Sequence, residues 1–196
     1  MNQLPKHSVW MSVLLISFFE FSLAGVALFV GLFININPFD KLHFTWIAVR
    51  GGVLTVSIPL FLFVLLLKSK SLRFQNEVLQ LKRRLGKFFK QCTLLQFLLI
   101  SISAGVGEEF LFRGLLQEGL IHLVGAWPAL IITGVLFGMA HWVSNYYFIY
   151  ATFMGMFLGA LYWQSGNLLA PIICHALYDF VVLIFLTHRT FKKLKD

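Results

Sequence analysis

Six stretches of this chain are apolar for longer than the core of a water-soluble domain requires. Residues 9–33 carry only one charge, Glu20, and residues 46–67 only Arg50. Residues 93–122 form the longest stretch, and residues 127–142, 146–163 and 167–187 follow. Crossing a bilayer takes about 20 predominantly apolar residues as a helix. Continuous runs of this kind read as helices; membrane-spanning β-strands would alternate in polarity over about 10 residues each. Composition agrees: 12% of the residues are charged, against roughly 25% in a soluble domain. The expected fold is an all-α, polytopic membrane helix bundle of about six transmembrane helices. The third stretch would be about 45 Å long as a straight helix, which exceeds a hydrocarbon core of about 30 Å. Gly105 and Gly107 offer it a place to bend. Near the N-terminus, Lys6, an apolar stretch and SLAG have the outline of a leader. The apolar run continues to Phe33, which favours a retained first helix.

Positive charge sets the expected orientation. Lys68, Lys70, Arg73, Lys82, Arg83, Arg84, Lys87 and Lys90 lie in one loop, Arg189, Lys192, Lys193 and Lys195 in the tail, and Lys6 at the start. With six spans these segments all fall on one side, the cytoplasmic side by the positive-inside rule. Both termini are then cytoplasmic, in a membrane expected to be the bacterial inner (plasma) membrane. The expected organisation is a two-helix hairpin over 1–67, a basic linker over 68–92, a four-helix core over 93–187 and a basic tail over 188–196. Within the linker, Phe74, Val78, Leu81, Leu85 and Phe88 follow helical spacing, with Lys and Arg opposite. This predicts a basic amphipathic interfacial helix, with membrane lipid as its partner. The net charge of +8 sits where topology would put it, so no nucleic-acid partner is expected. The sequence is silent on oligomeric state.

Charge inside the spans is the informative departure, because it costs about 2.5–3.5 kcal/mol per group at mid-bilayer. GEEFLFRG, residues 107–114, places Glu109 four residues before Arg113, the favoured order for a helical ion pair. Glu108 then lies on another side of the helix, where a carboxylate without a cation is suited to act as a base. FGMAH ends at His141, four residues after Phe137, and HALYD sets His175 and Asp179 four apart on one face. Glu108, His141 and His175 come from three helices, and a shared cavity requires those helices to pack closely. Gly134/Gly138 and Gly155/Gly159 supply small faces for that approach. Glu118 and His122 form an expected pair at the rim, while Glu20 and Arg50 receive no role. Taken singly, each group has a plainer explanation. A lone membrane histidine is more often a hydrogen-bonded packing residue, and a lone Glu–Arg pair is more often structural. Cys92 and Cys174 have no zinc-site or CxxC spacing and read as small buried side chains.

The combination resembles the CAAX protease and bacteriocin-processing family of intramembrane proteases. EEFLFR matches its EExxxR motif, FGMAH its FxxxH motif, and HALYD its third motif, a His followed four residues later by Asn or Asp. The resemblance covers roughly residues 93–187. It implies a glutamic-type protease without a metal or other cofactor, acting on a peptide or membrane-protein substrate. Glu108 and His141 would activate water, His175 and Asp179 would line the oxyanion site, and Glu109, Arg113 and Phe137 would support the arrangement. Asp179 departs from the members with Asn, because an ionised Asp cannot donate a hydrogen bond. Zinc is the alternative cofactor, since two histidines and a glutamate can hold it, although HExxH is missing. Two further alternatives are a membrane scaffold or bacteriocin-immunity factor using the same cavity, and a transporter, which the hydropathy supports with no inverted repeat.

Overall fold

The computed structural model describes residues 5–68, 70 and 72–187, and among these it is helical with no strand. In chain order the helices are α1 (Lys6–Ile34), α2 (Trp46–Thr55), α3 (Ser57–Leu67), α4 (Leu72–Phe89), α5 (Leu94–Glu109), α6 (Glu118–Val124), α7 (Ala126–Ala140), α8 (Asn145–Ser165) and α9 (Leu169–Thr187). A π-helical segment, Phe110–Gln117, joins α5 to α6. Four rods have the length and hydropathy to cross a membrane: His7–Ile34, Trp46–Leu67, Leu94–Val124 and Leu169–Thr187. Between the third and fourth rods lie the two further expected spans, the shorter apolar helix α7 and the 21-residue helix α8. The surface is dense in apolar side chains, with Phe18, Phe33, Leu32, Trp46 and Trp127 among many that are mostly exposed. An aqueous surface does not carry apolar area on this scale, so the protein is an integral membrane protein. The expected basic tail, 188–196, lies outside the described residues. So do the side chains of Phe74, Leu81 and Leu85, although α4 itself is formed.

Local chemistry accounts for the helix boundaries. Thr93 and Gln96 form a reciprocal capping box at the start of α5, satisfying donors that would otherwise be orphaned in an apolar setting. Ser144 accepts from the Tyr147 N–H to start α8, and Gly166, at φ +60°, ends it in the left-handed conformation that glycine adopts without strain. The α2–α3 rod is interrupted after Thr55, where the ring of Pro59 removes an N–H from the ladder.

The third rod is the centre of the bundle. In its most apolar 18 residues 61% are buried, against 17% in the first rod. α1 packs on one side of α5 and α9 on the other, α7 pairs with α8, and α2 lies along α9. The glycines of α5 are contact points in this packing, not the hinge that sequence suggested. A Cβ on Gly105 would stand 3.0 Å from the Ala176 Cβ of α9, and one on Gly107 would stand 2.6 Å from the carbonyl carbon of Glu20 in α1. The irregularity falls further on, in the π segment, where the Glu118 N–H reaches the Arg113 carbonyl five residues back.

The small-residue positions are points of close approach: Gly134, Gly138 and Gly155 lie between α7 and α8, while Gly159 faces Gln117 of the π segment. A Cβ on Gly155 would lie 3.0 Å from the Gly134 Cα, and one on Gly138 would lie 2.9 Å from the Phe148 carbonyl oxygen. Their close fit brings α8 near enough for its backbone to serve the π segment. Arg113 Nη2 donates to the Gly155 carbonyl at 2.8 Å, and Gln117 Nε2 donates to the Gly159 carbonyl at 2.9 Å.

Candidate active site

Two polar pairs occupy the middle of the bundle, and adjacent glutamates of α5 anchor them. Glu108, only 7% exposed, places Oε2 3.5 Å from His141 Nε2. His141 is the first residue after α7 and has left helical geometry, with φ −101° and ψ 18°. A helix of 15 residues rises only about 22 Å, less than the bilayer core, and it ends with the His141 side chain partly buried beside Glu108. The ring stacks on Phe137 at 4.4 Å between centroids, and Nδ1 lies 2.9 Å from the Phe137 carbonyl oxygen. A carbonyl only accepts, so Nδ1 carries the proton and Nε2 is the nitrogen turned toward Glu108. Atoms 3.5 Å apart can both reach one water oxygen at an ordinary hydrogen-bond length of about 2.8 Å.

Glu109 forms the second pair and is fully buried. Its Oε1 accepts from Arg113 Nη1 at 2.7 Å and from His175 Nδ1 at 2.8 Å. The helical spacing pointed to the first contact; the second, spanning 66 positions of sequence, is visible only in three dimensions. His175 is therefore oriented by Glu109, and its Nε2 faces Asp179 Oδ2 at 3.5 Å. Arg113, 1% exposed, is also covered by the Phe137 ring at 4.7 Å. Phe137 thus touches both pairs, stacking on His141 and meeting the His175 ring edge-on at 5.9 Å.

A cavity of about 570 Å³ opens onto Glu108, His141 and Asp179, while Glu109, Arg113 and His175 are buried and are not among its lining residues. Glu20, Glu108, His141 and Asp179 line it, together with Tyr146, Tyr147, Tyr150, Tyr178 and apolar side chains such as Ile16, Phe63 and Leu67. Its volume is in the range of small-molecule and peptide pockets. The Tyr150 and Tyr178 hydroxyls hydrogen-bond to each other. Val78 and Gln80 of α4 contribute to the wall, which puts the cavity beside the basic linker. The tyrosines and Glu20 had no motif to mark them; for Glu20 the available signal was its being the sole charge in its span. Arg50 is not among the lining residues. The rim pair forms, with Glu118 3.8 Å from His122, and it gains Lys41 at 3.2 Å and the Tyr162 hydroxyl at 2.7 Å. Cys174 is buried and Cys92 half-buried. Among the described residues, no group of three or more His, Cys, Asp or Glu side chains is arranged to hold a metal ion.

Comparison with known proteins places this geometry. Residues 90–181 match the family described as type II CAAX prenyl endopeptidase Rce1-like. The uncharacterized protein YpbD of Bacillus subtilis (strain 168) is 31% identical over 97 residues, 48% of this chain and 48% of that protein. The match thus spans about half the length of this relative. No solved structure matches significantly. The matched segment starts in the linker before α5 and ends just beyond Asp179, taking in both the Glu108–His141 and the Glu109–His175 pairs, and over that segment the chain is similar to the Rce1-like peptidases.

Proposed function

We propose that this protein is an intramembrane endopeptidase of the glutamic type, hydrolysing a peptide bond in a membrane-associated or C-terminal peptide substrate. The observation that carries this is the Glu108–His141 pair, two proton acceptors from different helices 3.5 Å apart on a cavity wall. Glu108 Oε2 is buried and accepts no hydrogen bond in the structure, so a water entering between it and His141 would meet an acceptor with no other partner. In this mechanism the water sits against Glu108 and His141 Nε2, and the carboxylate takes its proton as the oxygen attacks the carbonyl carbon. The developing oxyanion lies toward His175, whose imidazolium form donates to it through Nε2–H while Nδ1–H is held by Glu109. Glu108 then passes its proton to the departing amine, and the C–N bond breaks. No metal takes part in these steps. Donors aimed at an oxyanion typically account for about 10²–10³ in rate each. Asp179 positions and electrostatically supports His175.

The apolar lining suits a peptide with an apolar or lipidated tail, in keeping with the family's name. Substrate entry is proposed at the cytoplasmic face of a bacterial plasma membrane, a reading supported by the basic residues of the linker and by Val78 and Gln80 of α4 in the cavity wall. The test is cleavage of a peptide library by detergent-purified protein, with and without a chelator. Wild type should cleave in both conditions, Glu108→Gln and His141→Ala in neither. Wild-type rates from Glu108→Gln would refute the mechanism, and loss of activity in chelator restored by zinc would replace it with a metal-dependent one.

A further inference from the structure

Among the described residues of the cavity wall, Glu20 is the acid that the proposed reaction does not use. It reaches that wall because Gly107 has no side chain: the α1 backbone at Glu20 lies directly on α5 beside Glu108. The Glu20 carboxyl joins Glu108 and Asp179 in lining the cavity. Its Oε2 is buried and accepts no hydrogen bond. Leaving a buried acceptor unmet is unfavourable, more so for a charged group. Among the described lining residues three carboxyls face one imidazole, His141, which stands against Glu108, and there is no lysine or arginine. Arg113 is engaged elsewhere, with Glu109, the Gly155 carbonyl and the Phe137 ring. The same wall bears tyrosine rings, whose faces attract cations. An acidic, aromatic cavity with one carboxylate unpaired is complementary to a cation presented by the ligand.

We propose that Glu20 is a specificity-determining residue that binds the ammonium or guanidinium of a lysine or arginine side chain near the scissile bond of the substrate. This rests on the cavity being a peptide site and deepens that reading by naming the residue class it selects. The contact forms a charge-assisted hydrogen bond with the Glu20 carboxylate and offsets the repulsion among the three carboxyls.

The test measures binding separately from cleavage. Two labelled apolar peptides, identical except for a central lysine or norleucine, are titrated against detergent-purified Glu108→Gln protein, which binds without turnover. The lysine peptide should bind at least about tenfold more tightly, the range expected of a hydrogen bond to a charged group. Adding Glu20→Gln should bring the ratio to about one while leaving norleucine-peptide affinity unchanged, and Glu20→Asp should keep part of the preference. A ratio that is the same with and without Glu20, or near one in both, overturns the proposal. Cleavage is read in parallel: a wild type that cuts neither peptide counts against the peptidase mechanism, while the binding ratio still decides the role of Glu20.

Discussion

Glu109 holds two of the buried groups of the site through a single oxygen, so its removal should be read in both stability and activity. In Glu109→Ala, Arg113 loses a 2.7 Å bond and His175 a 2.8 Å bond. Arg113 is 1% exposed and would keep only the Gly155 carbonyl and the Phe137 face. Breaking a buried ion pair by deleting one partner costs about 3–5 kcal/mol, because the surviving charge is left uncompensated. Replacing both partners with apolar residues of similar volume is close to neutral. Thus Glu109→Ala and Arg113→Ala should each lose about 3–5 kcal/mol, whereas the double variant Glu109→Leu/Arg113→Met should lie within about 1 kcal/mol of wild type. The double variant should nonetheless be inactive, since His175 has lost the acceptor that fixes its ring. Reversible unfolding in mixed micelles, arranged as a double-mutant cycle, measures the first part, and peptide cleavage the second. A Glu109→Ala protein destabilised by less than 1 kcal/mol, or a double variant as unstable as the singles, would refute the assignment of Glu109 as the buried counter-charge. Full activity in the double variant would refute its role in orienting His175.

Three further outcomes follow from the geometry. Glu108→Gln should lower kcat by about 10²–10⁴, the usual range for a general base, with a thermal midpoint near wild type because Oε2 accepts no hydrogen bond; a large loss of stability would mark Glu108 as structural. Asp179→Asn should change kcat by less than about tenfold with folding intact, since it stands 3.5 Å from His175 Nε2 and only supports it; a loss beyond a hundredfold would make Asp179 a direct participant. Gly107→Ala should cost about 1–3 kcal/mol by overpacking, because its new Cβ meets the Glu20 backbone and not a movable side chain, and should reduce cleavage by displacing α1 from the cavity. Unchanged melting and cleavage in that variant would show that α1 and α5 are not held at this distance.

What could be read from the sequence of this protein was local or compositional. The apolar runs require a membrane helix bundle because lipid offers the backbone no hydrogen-bond partners. The Glu109–Arg113 pair was legible because residues four apart on a helix face one another, and the small faces of α7 and α8 because glycine spacing survives into packing. The π segment was not legible, and the bend looked for at Gly105 and Gly107 was not there, since both glycines are used for contact with neighbouring helices. Contacts between helices were beyond reach for the same reason: periodicity states which residues share a face of one rod but not which rod lies opposite. Only the folded bundle brings His175 to Glu109 across 66 positions, aims His141 at Glu108 by ending α7 early, and carries Glu20 from the first helix onto the wall of the cavity. A single helix sets the spacing of its own charges; the depth, pairing and exposure that give those charges a chemistry arise when several helices close around a common space.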